Sequence, residues 1–428
     1  MKNKTNGNLV LAISGGKPAV TRSAPKWPVS GDLEAAWMEA VVRSGKWSWL
    51  GPHETAFCSE YAGFIGSKYC LCMANGTVTL QCALQAVGVE PGDEVIVPGL
   101  TWVATMQSAL DVGANVVLVD IDPETLSIDP KAVEKAITSK TKAIVPVHLY
   151  GCMCDMDAIM AIAAKHKLKV VEDVAHQHGS RWRNKGAGAI GDVGSFSFQQ
   201  SKILTSGEGG AVTCNEEAYY KIMHALKQVG WAPDMTPGNH YGHNYRITEM
   251  QAVLLRGGLS RIKEQNRIRD ENAVYIAEAL KKEGGPLRVA RRDPRITRQA
   301  YYAMTLVYDS KKAENTPRHA YTHALGAEGF TAGGTYAPVY ANPLMNLYDK
   351  TSPAPYRNQK NIQDYRSLKL PNVEKAVNET AVTLSHTHLL GTRAYIDELL
   401  AAVRKVNDNL KSVRSACEDR ESRAGKKG

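Results

Sequence analysis

The chain has 428 residues, 43% hydrophobic and 22% charged, an ordinary globular composition with length enough for a large core and a smaller second domain. The formal charge of +9 comes from lysines and arginines scattered along the chain, with no basic arm of interleaved aromatics, so nucleic-acid binding is not expected. No apolar run approaches the ~20 residues that cross a bilayer, residues 9–13 are too short for the core of a signal peptide, and eight cysteines without disulfide-scaffold density or C-x-x-C spacing read as reduced thiols of a cytoplasmic protein without a metal site.

Residues 1–53 read as an N-terminal segment. From residue 54 short β-branched runs alternate with helical patterns, the signature of an α/β fold with a mostly parallel sheet covered by helices on both faces. Strands are expected at 94–98, 116–121, 143–150, 169–174, 194–199 and 210–214, and helices at 77–87, 105–112, 129–136 and 155–165. A charged amphipathic stretch, 248–283, reads as one or two connecting helices closing a large domain, 54–284. The texture of 285–411 is α+β and implies a smaller domain: a strand at 300–308, a helix near 316–328, a Pro- and Tyr-rich segment at 336–348 and a closing helix at 393–410. Residues 412–428, charged and small with no apolar face, are expected to be disordered.

The most informative segment is Ser195-Phe-Ser-Phe-Gln-Gln-Ser-Lys202, followed by Gly207-Glu-Gly-Gly210. A lone lysine is ordinarily a solvated surface cation. Delivered at a strand end into a packed cleft it is desolvated, its basicity falls, and it can form a Schiff base. Upstream, Val170-Val-Glu-Asp173-Val-Ala-His176 places an aspartate at the end of an apolar strand, where a carboxylate needs a cation such as the protonated nitrogen of a pyridine ring; the plainer reading of Asp173 is a cap or turn residue. Asn75-Gly76-Thr77 opens a helix whose first N–H groups and hydroxyl suit a phosphate, although Gly-Thr is also a common cap. Trp102, after the strand ending at Pro98, can stack on a flat ring or simply fill the core.

In this order, with Ser197 five residues before Lys202 and His176 three after Asp173, the motifs resemble the DegT/StrS family of sugar and cyclitol aminotransferases. The resemblance extends from Ile13-Ser-Gly-Gly-Lys-Pro-Ala19 and Ser44-Gly-Lys-Trp47, through Asn244-Tyr-Arg-Ile-Thr-Glu-Met-Gln-Ala252, to Tyr336-Ala-Pro-Val-Tyr340. It implies the fold-type-I aminotransferase architecture, with a seven-stranded, mostly parallel sheet in the large domain, pyridoxal 5'-phosphate (PLP) as cofactor, and a homodimer with shared sites. By the same resemblance Lys202 holds PLP as a Schiff base, Asp173 pairs with the pyridine nitrogen and His176 lies by the phenolic oxygen. Trp102 stacks on the ring, Gly76, Thr77 and Ser197 hold the phosphate, and Asn244 reaches the partner subunit's phosphate; a plainer role for Asn244 is to cap the helix beginning near Thr248.

The reaction so implied is a two-half exchange in which L-glutamine or L-glutamate donates nitrogen and a cyclic ketone receives it, Lys202 moving the protons. Arg181-Trp-Arg-Asn-Lys185, Arg298-Gln-Ala-Tyr-Tyr302 and Ala341-Asn-Pro-Leu344 are most similar to inosose aminotransferases and 3-amino-5-hydroxybenzoate synthases. The acceptor is therefore expected to be a cyclitol ketone such as an inosose. The alternatives are a nucleotide-linked 3- or 4-keto sugar, a lysine-retaining PLP synthase or dehydratase, and a non-catalytic regulatory role, which intact Lys202 and Asp173 disfavour. The pair Cys152 and Cys154 has no functional reading.

Overall fold

A computed structural model of the chain describes residues 10–347 and 364–425; the expectations for residues 1–9, 348 and 426–428 lie outside it. The large sheet has seven strands: β1 (Tyr69–Met73), β2 (Glu94–Pro98), β3 (Asn115–Val119), β4 (Thr141–Ile144), β5 (Lys169–Asp173), β6 (Val193–Ser197) and β7 (Gly210–Cys214). Their spatial order is β1-β7-β6-β5-β4-β2-β3. The β3-β2-β4-β5-β6 run is parallel, and β7 alone runs antiparallel, to both β6 and β1. Six expected strands thus form, five within two residues of their predicted bounds, while the one expected at 143–150 already ends at Ile144. β1 was not anticipated, because Tyr-Cys-Leu-Cys-Met has no β-branched residue to mark it.

Both faces of this sheet are covered. Along β2, Val95 and Val97 enter one apolar cluster and Ile96 the other, as strict alternation requires. Helix packing on both faces makes every position apolar, which is why these strands read as continuous hydrophobic runs. The covering helices include α1 (Asp32–Ser44), α2 (Pro52–Ile65), α3 (Gly76–Ala86), α4 (Val103–Asp111), α5 (Pro130–Ala136), α6 (Met156–His166) and α7 (Glu217–Lys227).

The 248–283 stretch is one helix, α8 (Glu249–Glu283), opened by a Thr248/Gln251 capping box and closed by Gly284 in the left-handed region. Its first half packs Ala252, Leu255 and Ile262 on the large sheet. Its second half packs Ala273, Ile276 and Leu280 into a separate core. That core backs a four-stranded antiparallel sheet, ordered Leu287–Val289, Ala303–Tyr308, Ala381–Ser385, Ala332–Gly333. Contrary to the disorder expected for residues 412–428, the chain is helical over Leu410–Gly425. The apolar face judged missing is short but present, since Leu410 and Val413 are buried in the second core and Cys417 packs beside them.

Candidate active site

The parallel strands end on one side of the sheet, and there a cavity of about 700 Å³ opens, where open α/β sheets carry their ligands. Its walls come from the segments after β1 (Asn75, Gly76, Thr77), after β2 (Thr101, Trp102), from the ends of β5 (Asp173) and β6 (Ser197), and from the turn bearing Lys202. Gly76, Thr77, Trp102, Asp173, His176, Ser197 and Lys202 therefore share one site. Asn244 does not line it.

Lys202 sits in the loop between β6 and β7, a closed turn in which Gln200 N–H donates to Gly207 O (2.7 Å), Lys202 N–H to Gln199 O (2.8 Å) and Ser206 N–H to Phe198 O (3.0 Å). Gly207 takes φ +83°, which explains a glycine at this point of the turn. Burial pushes the Lys202 ammonium down to about 8, against the attraction of Asp173. Its Nζ lies 4.4 Å from the centre of the Tyr302 ring. Asp173 is buried, and burial raises its carboxyl's pKa against hydrogen bonds from the Thr105 hydroxyl (2.9 Å) and Ala175 N–H (3.2 Å). Among the described residues no cation is in salt-bridge contact with it, so a pyridinium nitrogen fits the carboxylate's unmet need.

His176 stacks on Tyr302, ring centroids 3.9 Å apart and 12° from parallel. Its Nδ1 accepts the Tyr150 N–H at 3.1 Å, and burial, seconded by the Lys202 charge, holds its pKa well below the ordinary value. It is therefore neutral with the proton on Nε2, 3.5 Å from the Tyr336 hydroxyl. Trp102 is no core filler: it is 57% exposed and tilts toward Tyr336 at 5.5 Å.

The phosphate turn departs in one respect from expectation. The N–H groups of Thr77 and Val78 are not free but donate to Asn75 Oδ1, both at 3.0 Å, so an anion there competes with the cap. Gly76 is required by close approach, because a Cβ would fall 2.7 Å from Ser197 Cβ. Asn244 is exposed and its Oδ1 accepts from Arg246 Nε at 2.8 Å; the cap of α8 is Thr248, which removes the plainer role considered for Asn244. Sequence reasoning missed the aromatic wall of Tyr150, Tyr302 and Tyr336 and the support of Asp173 by Thr105. The signal for Thr105 was available, since it lies one helical turn from Thr101, whose hydroxyl it meets at 2.9 Å.

A sheet that brings an amine of lowered basicity and an under-bonded carboxylate into one aromatic cavity has the architecture of the fold-type-I aminotransferases. Within that class the chain belongs to the DegT/DnrJ/EryC1/StrS aminotransferase family, which matches residues 29–387. It is 38% identical over 416 residues to L-glutamine:2-deoxy-scyllo-inosose aminotransferase of Streptoalloteichus tenebrarius, covering 92% of this chain and 97% of that one. It is 36% identical to L-glutamine:scyllo-inosose aminotransferase of Streptomyces griseus, covering 94% and 99%. The crystal structure of 3-amino-5-hydroxybenzoic acid synthase superposes with a TM-score of 0.79 at 31% identity, covering 90% and 98%. No helix among the described residues is long and apolar enough to cross a membrane.

Proposed function

We propose that this aminotransferase uses PLP to move the amino group of L-glutamine onto a cyclitol ketone of the inosose type. The observation that carries the reading is the pairing of Lys202, its basicity lowered by burial, with under-bonded Asp173 in one cavity. The relatives named above as glutamine:inosose aminotransferases supply the donor and acceptor class.

PLP, when bound, supplies a covalent handle for amines and an electron sink for the pair left when a proton departs from carbon. Lys202 is the residue that would hold it covalently. Asp173 would face the pyridine nitrogen and keep it protonated, with Trp102 covering the ring and His176 standing beside the phenolic oxygen. Gly76, Thr77 and Ser197 would receive the phosphate, joined by Asn244 of a second subunit in a homodimer; Asn244 is exposed here, as a partner-directed residue must be. Released from the cofactor, Lys202 Nζ accepts the proton from the donor's α-carbon in the first half-reaction and returns one to the acceptor carbon in the second. A pKa of about 8 suits both directions near neutral pH.

The charge of the lining supports a neutral acceptor. Besides Lys202, the cavity lining contains no lysine or arginine among the described residues; it offers hydroxyls, amides, an imidazole, aromatic rings and the carboxylates of Asp173 and Glu208. A nucleotide-linked sugar brings a diphosphate that asks for cations, whereas a neutral polyhydroxy ring asks for hydrogen bonds and an aromatic face. The test is spectroscopic. L-glutamine alone should convert the PLP-loaded enzyme to its amine form, and scyllo-inosose or 2-deoxy-scyllo-inosose should restore the starting spectrum with a new amine in solution. Restoration only by a nucleotide-linked keto sugar would overturn the acceptor class, and an aromatic product would place the protein with the synthases.

A further inference from the structure

Arg269, on α8, is fully buried and does not line the cavity. Among the described residues no carboxylate meets it. Its Nη1 donates to Asn266 Oδ1 and its Nη2 to His386 Nδ1, each at 3.2 Å, the guanidinium lies 5.2 Å from the centre of the Trp27 ring, and its Nε has no partner among the described residues. Burial pushes its pKa down to about 9, so it still carries its charge at neutral pH. Burying a cation without a counter-ion is costly, and an apolar side chain would fill the same space without that cost. The network it holds must return something.

His386 follows the strand Ala381–Ser385 of the smaller sheet and is also buried. Burial and the Arg269 charge hold its pKa down at about 3, so the ring is neutral. A guanidinium can only donate. His386 Nδ1 must therefore carry the lone pair and Nε2 the hydrogen, which points at Ser201 O, 3.1 Å away. Ser201 O belongs to the peptide that leads into Lys202, whose own N–H is held by Gln199 O. The backbone N–H of His386 donates to Tyr302 O at 3.1 Å, and the Tyr302 ring is the one beneath Lys202 Nζ. With the opposite tautomer, the Nε2 lone pair would face the Ser201 carbonyl oxygen and repel it.

We infer that Arg269 is a positioning residue for Lys202: by donating to Nδ1 it selects the Nε2–H tautomer of His386, and that hydrogen anchors the Ser201–Lys202 peptide from the smaller sheet. The inference rests on the reading of Lys202 as the reacting amine. Neither Arg269 nor His386 lines the cavity.

The test exploits the tautomer. In His386→Gln the side-chain amide places N–H donors near the Nε2 position and has no tautomer to choose. Arg269→Met in the otherwise unaltered enzyme should lower kcat about tenfold with KM for glutamine within about twofold, the mark of a misplaced reacting group. In the His386→Gln background the same substitution should cost less than about twofold. A cost that is equal in the two backgrounds, or no cost in either, overturns the inference. A second readout needs no turnover. The imidazole nitrogen spectrum of the unaltered protein, with His386 assigned by its loss in His386→Gln, should show Nε2–H, and Arg269→Met should introduce the Nδ1–H form. If Arg269→Met fails to fold, Arg269→Gln, shorter and uncharged, takes its place: the appearance of Nδ1–H upholds the inference, and retention of Nε2–H alone ends it. Retention of activity by Lys202→Ala would instead sink the Lys202 reading itself, which these two measurements do not address.

Discussion

Two carboxylates adjacent on β5, Glu172 and Asp173, are both buried and point to opposite faces of the sheet. Glu172 is saturated: it accepts from Gly188 N–H and His148 Nε2 at 3.0 Å and from Ile190 and Gly191 N–H at 2.8 Å. Asp173 accepts two hydrogen bonds, neither from a charged group. The loop over the Glu172 face has been folded to match its acid. The Asp173 face opens into the cavity. The difference teaches where to look for chemistry: a buried charge fully met by fixed donors holds the fold, and one left partly unmet awaits a ligand.

The comparison can be broken by substitution. The largest effect is expected at the amine in the same cavity: Lys202→Ala should fold, lose the visible band of the bound cofactor and lose on the order of 10⁴-fold or more in kcat; absorbance and turnover check both. Asp173→Asn should still bind cofactor and fall roughly 10²–10³-fold in kcat, because an amide cannot hold the pyridine nitrogen protonated. Glu172→Gln should behave in the opposite way. Its amide hydrogens would face donors that already point inward, costing about 1–3 kcal/mol of stability by denaturant titration, while kcat of the folded fraction stays near normal. A Glu172→Gln enzyme that is stable and slow would reverse the assignment of the two acids.

Much of this site was legible in the sequence because it is local. Asp173 and Lys202 sit at or just beyond strand ends, where period and composition already place the chain, whereas His176 and Ser197 were marked by the family resemblance. What stayed hidden depends on contacts between distant segments. Tyr302 and Tyr336 belong to the smaller sheet's region and reach His176 across more than a hundred residues, which no window of sequence contains. Of the Cys152/Cys154 pair, unread in the sequence, both are buried, and Cys154 has a local account: its thiol donates to Val147 O and its N–H to His148 Nδ1, each at 3.1 Å. The tail was misjudged for a related reason, since two or three apolar residues suffice when a second core is waiting for them.

The smallest expected effect concerns the resting charge of Lys202 and follows from linkage. Its ammonium titrates near 8 in the folded protein against an ordinary 10.5, so the folded state binds this proton less tightly than the unfolded chain does. The penalty is complete below pH 8, fades between 8 and 10.5 as the folded lysine and then the unfolded one lose their protons, and is gone above that. The attraction of Asp173 is already contained in the folded value. The gap amounts to about 2 kcal/mol once discounted for the water that enters the cavity. Lys202→Met, which keeps the length of the chain and removes the charge, should therefore stabilise the cofactor-free protein by about that amount at pH 7 and by nothing measurable at pH 11. Denaturant titrations of both proteins across this range give the curve directly. A stabilisation that is the same at both pH values would mean that methionine simply packs better, and that the cavity does not depress the lysine at all.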